Sequence, residues 1–219
     1  GVYTPVAAAI GEEARKHPDD LLIDLMNNGH LSTATCFDGQ NFFDTDHPVN
    51  MDDPASAVQS NYRTSTTLSS TTFFEMRAAM AGFLGDNGRP LGCQGVVLVV
   101  PPALEDAGRA IVGSNLIATV FGSNTAAAGV DNTMRGRLEL KVYPELSAAA
   151  GGADDAFYVM DTTRSAKPIV MVERKAPAMT FKGKPEDDNV FWDDELVMGV
   201  RARGVAGYGP FWLAVKATA

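Results

Sequence analysis

The chain has 219 residues, enough for one large domain or two intertwined subdomains, and a chain of this length buries roughly 70% of its unfolded surface without added staples. Hydrophobic residues make up 45% and charged residues 21%, an ordinary globular balance, and the longest aliphatic runs, such as Val96–Val100, fall far short of the ~20 residues needed to span a bilayer. The net charge of −9, from 27 acidic and 18 basic residues, excludes a broad electrostatic footprint for nucleic acid.

In chain order, the start GVYTPVAAAIGEEARKHP lacks a basic region followed by an apolar one, so no secretory signal is expected. Val6, Ile10 and Ala14 recur at a helical spacing, and Leu21, Leu22, Leu25 and Met26 form a second apolar face after Pro18. This predicts either one helix kinked at Pro18 or two in tandem, stopped at Gly29. The stretch CFDGQNFFDTDHPV (36–49) follows neither helical nor strand period and reads as an ordered loop. Residues 50–72 read as loop with some extended structure. Phe73, Met76, Met80 and Phe83 predict a core-packing helix over 70–84, ended by residues 85–90. A buried strand follows over 95–100. Pro101 and Pro102 then open a third helix, with Leu104, Ile111 and Val112 inward.

The second half reads mostly as strand: 115–121, 137–143 with Leu138, Leu140 and Val142 inward, 156–161, 168–174, 195–204 and 209–217. Between them, Gly122–Thr133 reads as a mobile loop, Lys184–Glu195 as an acidic loop, and Gly204–Pro210 as a turn or bulge. The order helix, loop, helix, strand, helix, strands is an α+β pattern.

Few motifs carry chemistry. Asp44, Asp46 and His47 offer carboxylate and imidazole ligands, the basis for an alternative reading as a metal-dependent hydrolase. Three ligands within four residues diverge unless the loop curls around an ion, however, and bracing of the loop by Asp side chains is the favoured role. There is no nucleophile elbow and no phosphate loop, so no catalytic residue, cofactor or metal is expected. Cys36 and Cys93 form no CxxC pair and read as buried hydrophobes in a reducing cytosol. Trp192, set among Glu186, Asp187, Asp193 and Asp194, reads as a contact between subunits. Arg174, Arg201 and Arg203 are candidates to face that acid across the interface.

Four strings carry a resemblance: GVYTPVAAAIGEEARKHPDDLLIDLMNNG, CFDGQNFFDTDHPV, FYVMDTTRSAKPIVMVERKAP and EDDNVFWDDELVMGVRARGVAGYGPFWLA. Together they cover about half of the chain and resemble the Mu-like phage major head subunit family of gpT type. The resemblance implies an α+β, Hong Kong 97-type major capsid fold. Residues 1–65 and 164–219 would form its peripheral domain, with a spine helix over 5–28. Residues 66–163 would form its mixed α/β axial domain. The loop 122–133 would lie near a capsomer axis and the acidic segment near a junction between capsomers. Family members are longer, and their N-terminal arm and E-loop have no counterpart in this sequence. The implied role is structural rather than enzymatic: self-assembly into pentamers and hexamers of an icosahedral virion shell around double-stranded DNA, touched only by weak non-specific contact. Decoration and scaffolding proteins would be further partners, and assembly would take place in the bacterial host cytoplasm. A bacterial protein-compartment shell of the same fold is a second alternative.

Overall fold

A computed structural model of the chain describes residues 4–53, 55–120, 127–193 and 195–219. It divides into two compact units, residues 1–24 with 170–207 and residues 25–169 with 208–219. This division cuts the chain at other places than the peripheral and axial segments named above. It reports compactness within one copy, whereas those terms describe position in a shell.

The first helix, α1 (Thr4–Asn28), runs unbroken with Pro18 inside it. The proline lacks the N–H that would reach the Ala14 carbonyl, yet one missing bond does not split the element, so a single helix stands where the sequence left two options. Val6, expected on the inward stripe, is 53% exposed, while Ile23, outside the expected face, is buried together with Met26.

The larger unit is built on a five-stranded mixed sheet. After the two-residue strands β1 (His47–Pro48) and β2 (Val58–Gln59), which pair with each other, its strands are β3 (Tyr62–Arg63), β4 (Val97–Val100), β7 (Glu139–Val142), β8 (Phe157–Met160) and β11 (Ala214–Ala217), ordered β3-β11-β8-β4-β7. Pairing is parallel at the two outer contacts and antiparallel at the two inner ones. Strands β4, β8 and β11 are buried along their whole length, which is why β4 and β8 read as continuous apolar runs rather than alternations, while β11 carries the buried Lys216 among apolar residues.

Helix α2 (Ser70–Ala81) covers one face. Its start is fixed by a reciprocal capping box: the Thr72 N–H donates to Ser69 Oγ (3.1 Å) and the Ser69 N–H to Thr72 Oγ1 (2.9 Å). Phe73, Met76 and Met80 are fully buried and join Leu98, Phe157, Val159 and Val215 in the core, as the helical stripe predicts. Helix α3 (Glu105–Gly113) packs against the same core through Ile111, with Leu104 and Val112 partly buried. Gly108 permits this approach, because a Cβ there would stand 2.8 Å from the Leu140 side chain.

Three segments differ from expectation. Within 122–133, residues 122–126 lie outside the described residues, but β6 (Ala127–Asp131) pairs antiparallel with β5 (Leu116–Val120). Small residues carry no strand signal of their own, and the ladder with β5 supplies it. The acidic segment contains a short helix, α4 (Asp188–Asp193). The expected bulge at 204–210 is mostly strand. The ribbon of β9 (Ile169–Lys182) and β10 (Val197–Tyr208) is far longer than the apolar runs suggested. Both of its strands are edges, so Pro177 removes no central ladder bond.

Candidate subunit interface and the buried histidine

The segment 36–49 folds from its glycine outward. Gly39 adopts φ +84, a left-handed conformation that favours glycine, and its N–H closes a turn on the Cys36 carbonyl (3.1 Å). The turn brings Asp38 Oδ2 to His47 Nδ1 at 2.6 Å, with both side chains fully buried. The other ring nitrogen, Nε2, lies 3.2 Å from Asn61 Oδ1. The Asn61 amide is oriented by its surroundings: Nδ2 donates to the Phe42 and Phe211 carbonyls, and Oδ1 accepts the Asp44 N–H. Both imidazole nitrogens therefore face oxygen atoms of neighbouring side chains. The ring also stacks on Phe211, 3.8 Å between centroids and 4° from parallel.

This corrects the metal alternative. His47 meets Asp38 and Asn61 through its two ring nitrogens rather than Asp44 or Asp46. Among the described residues, no group of three His, Cys, Asp or Glu side chains is placed to hold an ion. The two aspartates brace the loop instead. Asp44 accepts the Thr45 N–H (2.7 Å) and the Asn41 N–H (3.3 Å). Burial pushes its carboxyl up, but these N–H groups and the Asp46 side chain outweigh burial and hold it below the usual range. Its hydrogen bond to Asp44, with lesser help from burial, holds Asp46 above the usual range. Cys36 and Cys93 are buried and unpaired, and burial pushes the Cys36 thiol up to about 11.

Phe42 and Phe43, from the same segment, cover the second face of the sheet. Phe42 stacks on Tyr208 (4.5 Å) and Phe43 meets Tyr158 (5.7 Å). Gly29 is required here, because a Cβ would fall 2.7 Å from the Phe43 ring. Beside them Lys216 is buried within cation–π distance of Phe43, Tyr62 and Tyr158. It donates to the Asn27 carbonyl at the C-terminal end of α1 (3.2 Å). Sequence reading missed Asp38, Asn61 and Lys216. A lysine centred in an apolar strand was the available signal for the last.

The residues expected to meet a neighbouring subunit fall on the ribbon. At its tip, Asp187 accepts the Lys184 N–H (2.9 Å), and Asn189 Nδ2 donates to the carbonyls of Lys182, at the end of β9, and Glu195, just before β10. This clamp presents Phe191 and Trp192 outward, 69% and 76% exposed and edge to face at 5.0 Å. Glu186 and Asp193 are exposed beside them, and Asp194 lies outside the described residues. Along the ribbon, Gly204 lies against Glu173, which brings Arg203 level with Arg174. Arg201, two residues along, points to the same side as Arg203. Arg174, Lys175, Arg201 and Arg203 line one concavity of about 360 Å³. Like charges facing across a ribbon destabilise it unless an acid meets them. Among the described residues, none of these three arginines is in an ion pair.

The sequence matches the family described as Mu-like prophage major head subunit gpT, over residues 1–74, 56–146 and 143–219. It is 26% identical over 219 residues to the major capsid protein of Escherichia phage Mu, covering 99% of this chain and 44% of that protein. It is 25% identical over 212 residues to the Mu-like prophage FluMu major head subunit of Haemophilus influenzae, covering 97% and 42%. The chain thus spans less than half the length of these relatives. Solved structures similar to it include the procapsid of bacteriophage JBD30 (26% identity, TM-score 0.48, 100% of this chain and 45% of that one) and the JBD30 capsid (22% identity, TM-score 0.49, 66% and 68%). With the family pattern matched from the first residue to the last, the chain belongs to the Mu-like prophage major head subunit family of gpT type.

Proposed function

We propose that the protein is a structural head subunit whose copies join into pentamers and hexamers of an icosahedral shell enclosing double-stranded DNA. The observation that carries this reading is the family match across the whole chain. The exposed aromatic pair and the unpaired charges of the ribbon fit surfaces that close against other copies, since each subunit in a shell makes many weak contacts. On this reading the fold is of Hong Kong 97 type, residues 1–65 and 164–219 lie peripherally in a capsomer, and residues 66–163 lie axially. Trp192, Glu186, Asp187, Asp193 and Asp194 meet a neighbour at one end of the ribbon, and Arg174, Arg201 and Arg203 meet one along its length. The net charge of −9 suits a container that holds DNA through weak non-specific contact, because strong phosphate contacts would oppose packaging and release. Scaffolding and decoration proteins are the further partners, the virion is the final location, and assembly takes place in the bacterial host cytoplasm. Negative-stain imaging of the purified full-length protein tests the reading: shells, rings or sheets support it, and dispersed monomers at high concentration overturn it.

A further inference from the structure

The ribbon carries its arginines on one face together with an apolar patch. Gly204 lies against Glu173, so Arg203 stands level with Arg174 and Val205 level with Val172. Side chains alternate along a strand, so Val170, Val172 and Arg174 of β9 share a face with Val205, Arg203 and Arg201 of β10. The opposite face, with Glu173 and Gly204, turns toward α1, whose Ala14, His17 and Pro18 share a cleft with them. The arginine face is open. Val172 is 60% exposed and Val205 63%, and all three arginines are exposed. A two-stranded ribbon has no core of its own to bury such a face in, and Arg174 opposite Arg203 repel each other in an isolated copy.

The ribbon tip has the same two ingredients with the opposite charge. Phe191 and Trp192 stand exposed at right angles, flanked by exposed Glu186, Asp188, Asp193 and Glu195. Among the described residues, none of these four acids is in an ion pair. Aromatic rings on valines, with carboxylates on guanidinium groups around them, make an apolar centre with a charged rim, the usual anatomy of a protein contact. An indole beside the arginines gains cation–π attraction as well. The tip does not reach the arginines of its own copy, because about eight paired residues, roughly 26 Å of strand, lie between Arg174 and Lys182. Duplex DNA would neutralise the arginines but leave the valines in water, and the acidic tip would repel it. A second copy of this chain satisfies both halves of the face.

We propose that the ribbon tip of one copy seats on the arginine–valine face of another, with Phe191 and Trp192 against Val172 and Val205 and the tip carboxylates against Arg174, Arg201 and Arg203. The two patches differ, so the contact is heterologous: it propagates from copy to copy and closes only where the rotation allows. The inference rests on the head-subunit reading and joins into one contact the two ribbon surfaces that the reading leaves to separate neighbours.

The test is charge reversal in the full-length protein, with self-association read by sedimentation. Arg201→Glu with Arg203→Glu, and separately Glu186→Lys with Asp193→Lys, each weaken association about tenfold or more. All four changes in one chain restore it to within about threefold of wild type, because the contact is rebuilt with its signs exchanged. A variant that merely misfolds gives no such rescue. Trp192→Ala and Val172→Asn each weaken association as well, and the double variant is no weaker than the stronger single one, since both remove the same contact. Charge reversals without loss, or losses that multiply when the four changes are combined, overturn the contact while leaving the head-subunit reading intact. So does binding to random-sequence duplex DNA that falls with Arg201→Glu and Arg203→Glu while self-association stays unchanged. A wild-type protein that does not self-associate overturns both.

Discussion

Residues 36–49 and 184–195 have nearly the same ingredients, aromatic rings among aspartates within a dozen or so positions, and opposite fates. In the first, Phe42, Phe43 and His47 are fully buried, and every polar atom of the Asp38–His47–Asn61 cluster described above has a partner. In the second, Phe191 and Trp192 face water and Glu186, Asp188, Asp193 and Glu195 stay exposed. Partners make the difference. Asn61, Phe211 and Tyr158 arrive from distant parts of the chain to complete the first segment, whereas the clamp at the ribbon tip orders only its backbone. A satisfied cluster contributes to the stability of one copy. An unsatisfied one of the same composition leaves its rings facing water.

The contrast predicts separable phenotypes. Phe43→Ala, which empties a site packed between Gly29, Phe42 and Tyr158, is expected to cost about 3–5 kcal/mol, seen as a lower denaturant midpoint with an unchanged slope. Asp38→Ala strands a buried ring N–H and is expected to cost about 1–3 kcal/mol by the same measurement. It would also loosen Phe211, on which the His47 ring stacks and which meets Trp212 edge to face, read as quenching changes at Trp212.

Lys216 gives a smaller effect with a defined sign. Burial lowers its folded-state value from 10.5 to about 8. Below pH 8 folded and unfolded chains both carry the proton, and this group adds no pH dependence. Between about pH 8 and 10.5 the unfolded chain holds the proton that the folded chain has released, so stability rises with pH, by at most about 1.4 kcal/mol per pH unit. The buried thiols Cys36 and Cys93, raised from 9.0, work against stability from about pH 9, and Tyr158, pushed up by burial, above about pH 10. Thermal unfolding from pH 7.5 to about 9 should show the rise, and Lys216→Met should flatten it. Least of all, Trp192→Ala is expected to change the stability of the isolated chain by under about 0.5 kcal/mol while abolishing particle yield. A large loss of stability in that variant would erase the distinction between the two segments.

Much of the sheet unit was legible. The stripe Phe73–Met76–Met80–Phe83 and the apolar runs at β4 and β8 name their own period and burial. The long ribbon was half legible, because Lys175–Lys182 and Gly204–Tyr208 have mixed composition and become strand only by pairing with each other. The strand Ala127–Asp131 was hidden for the same reason. At the histidine, adjacency in sequence suggested Asp44 and Asp46 as partners. Adjacent residues in a loop point apart, and the true partners, Asp38 and Asn61, are nine and fourteen positions away.

By itself the sequence determined the family, through strings long enough to be specific, together with the α+β order and the core stripe. These are local or textual properties that need no neighbour. Only the tertiary structure decided which polar residues are satisfied and which are left over. That depends on groups far apart in the chain meeting at hydrogen-bond distance, and no short-range pattern encodes such a meeting.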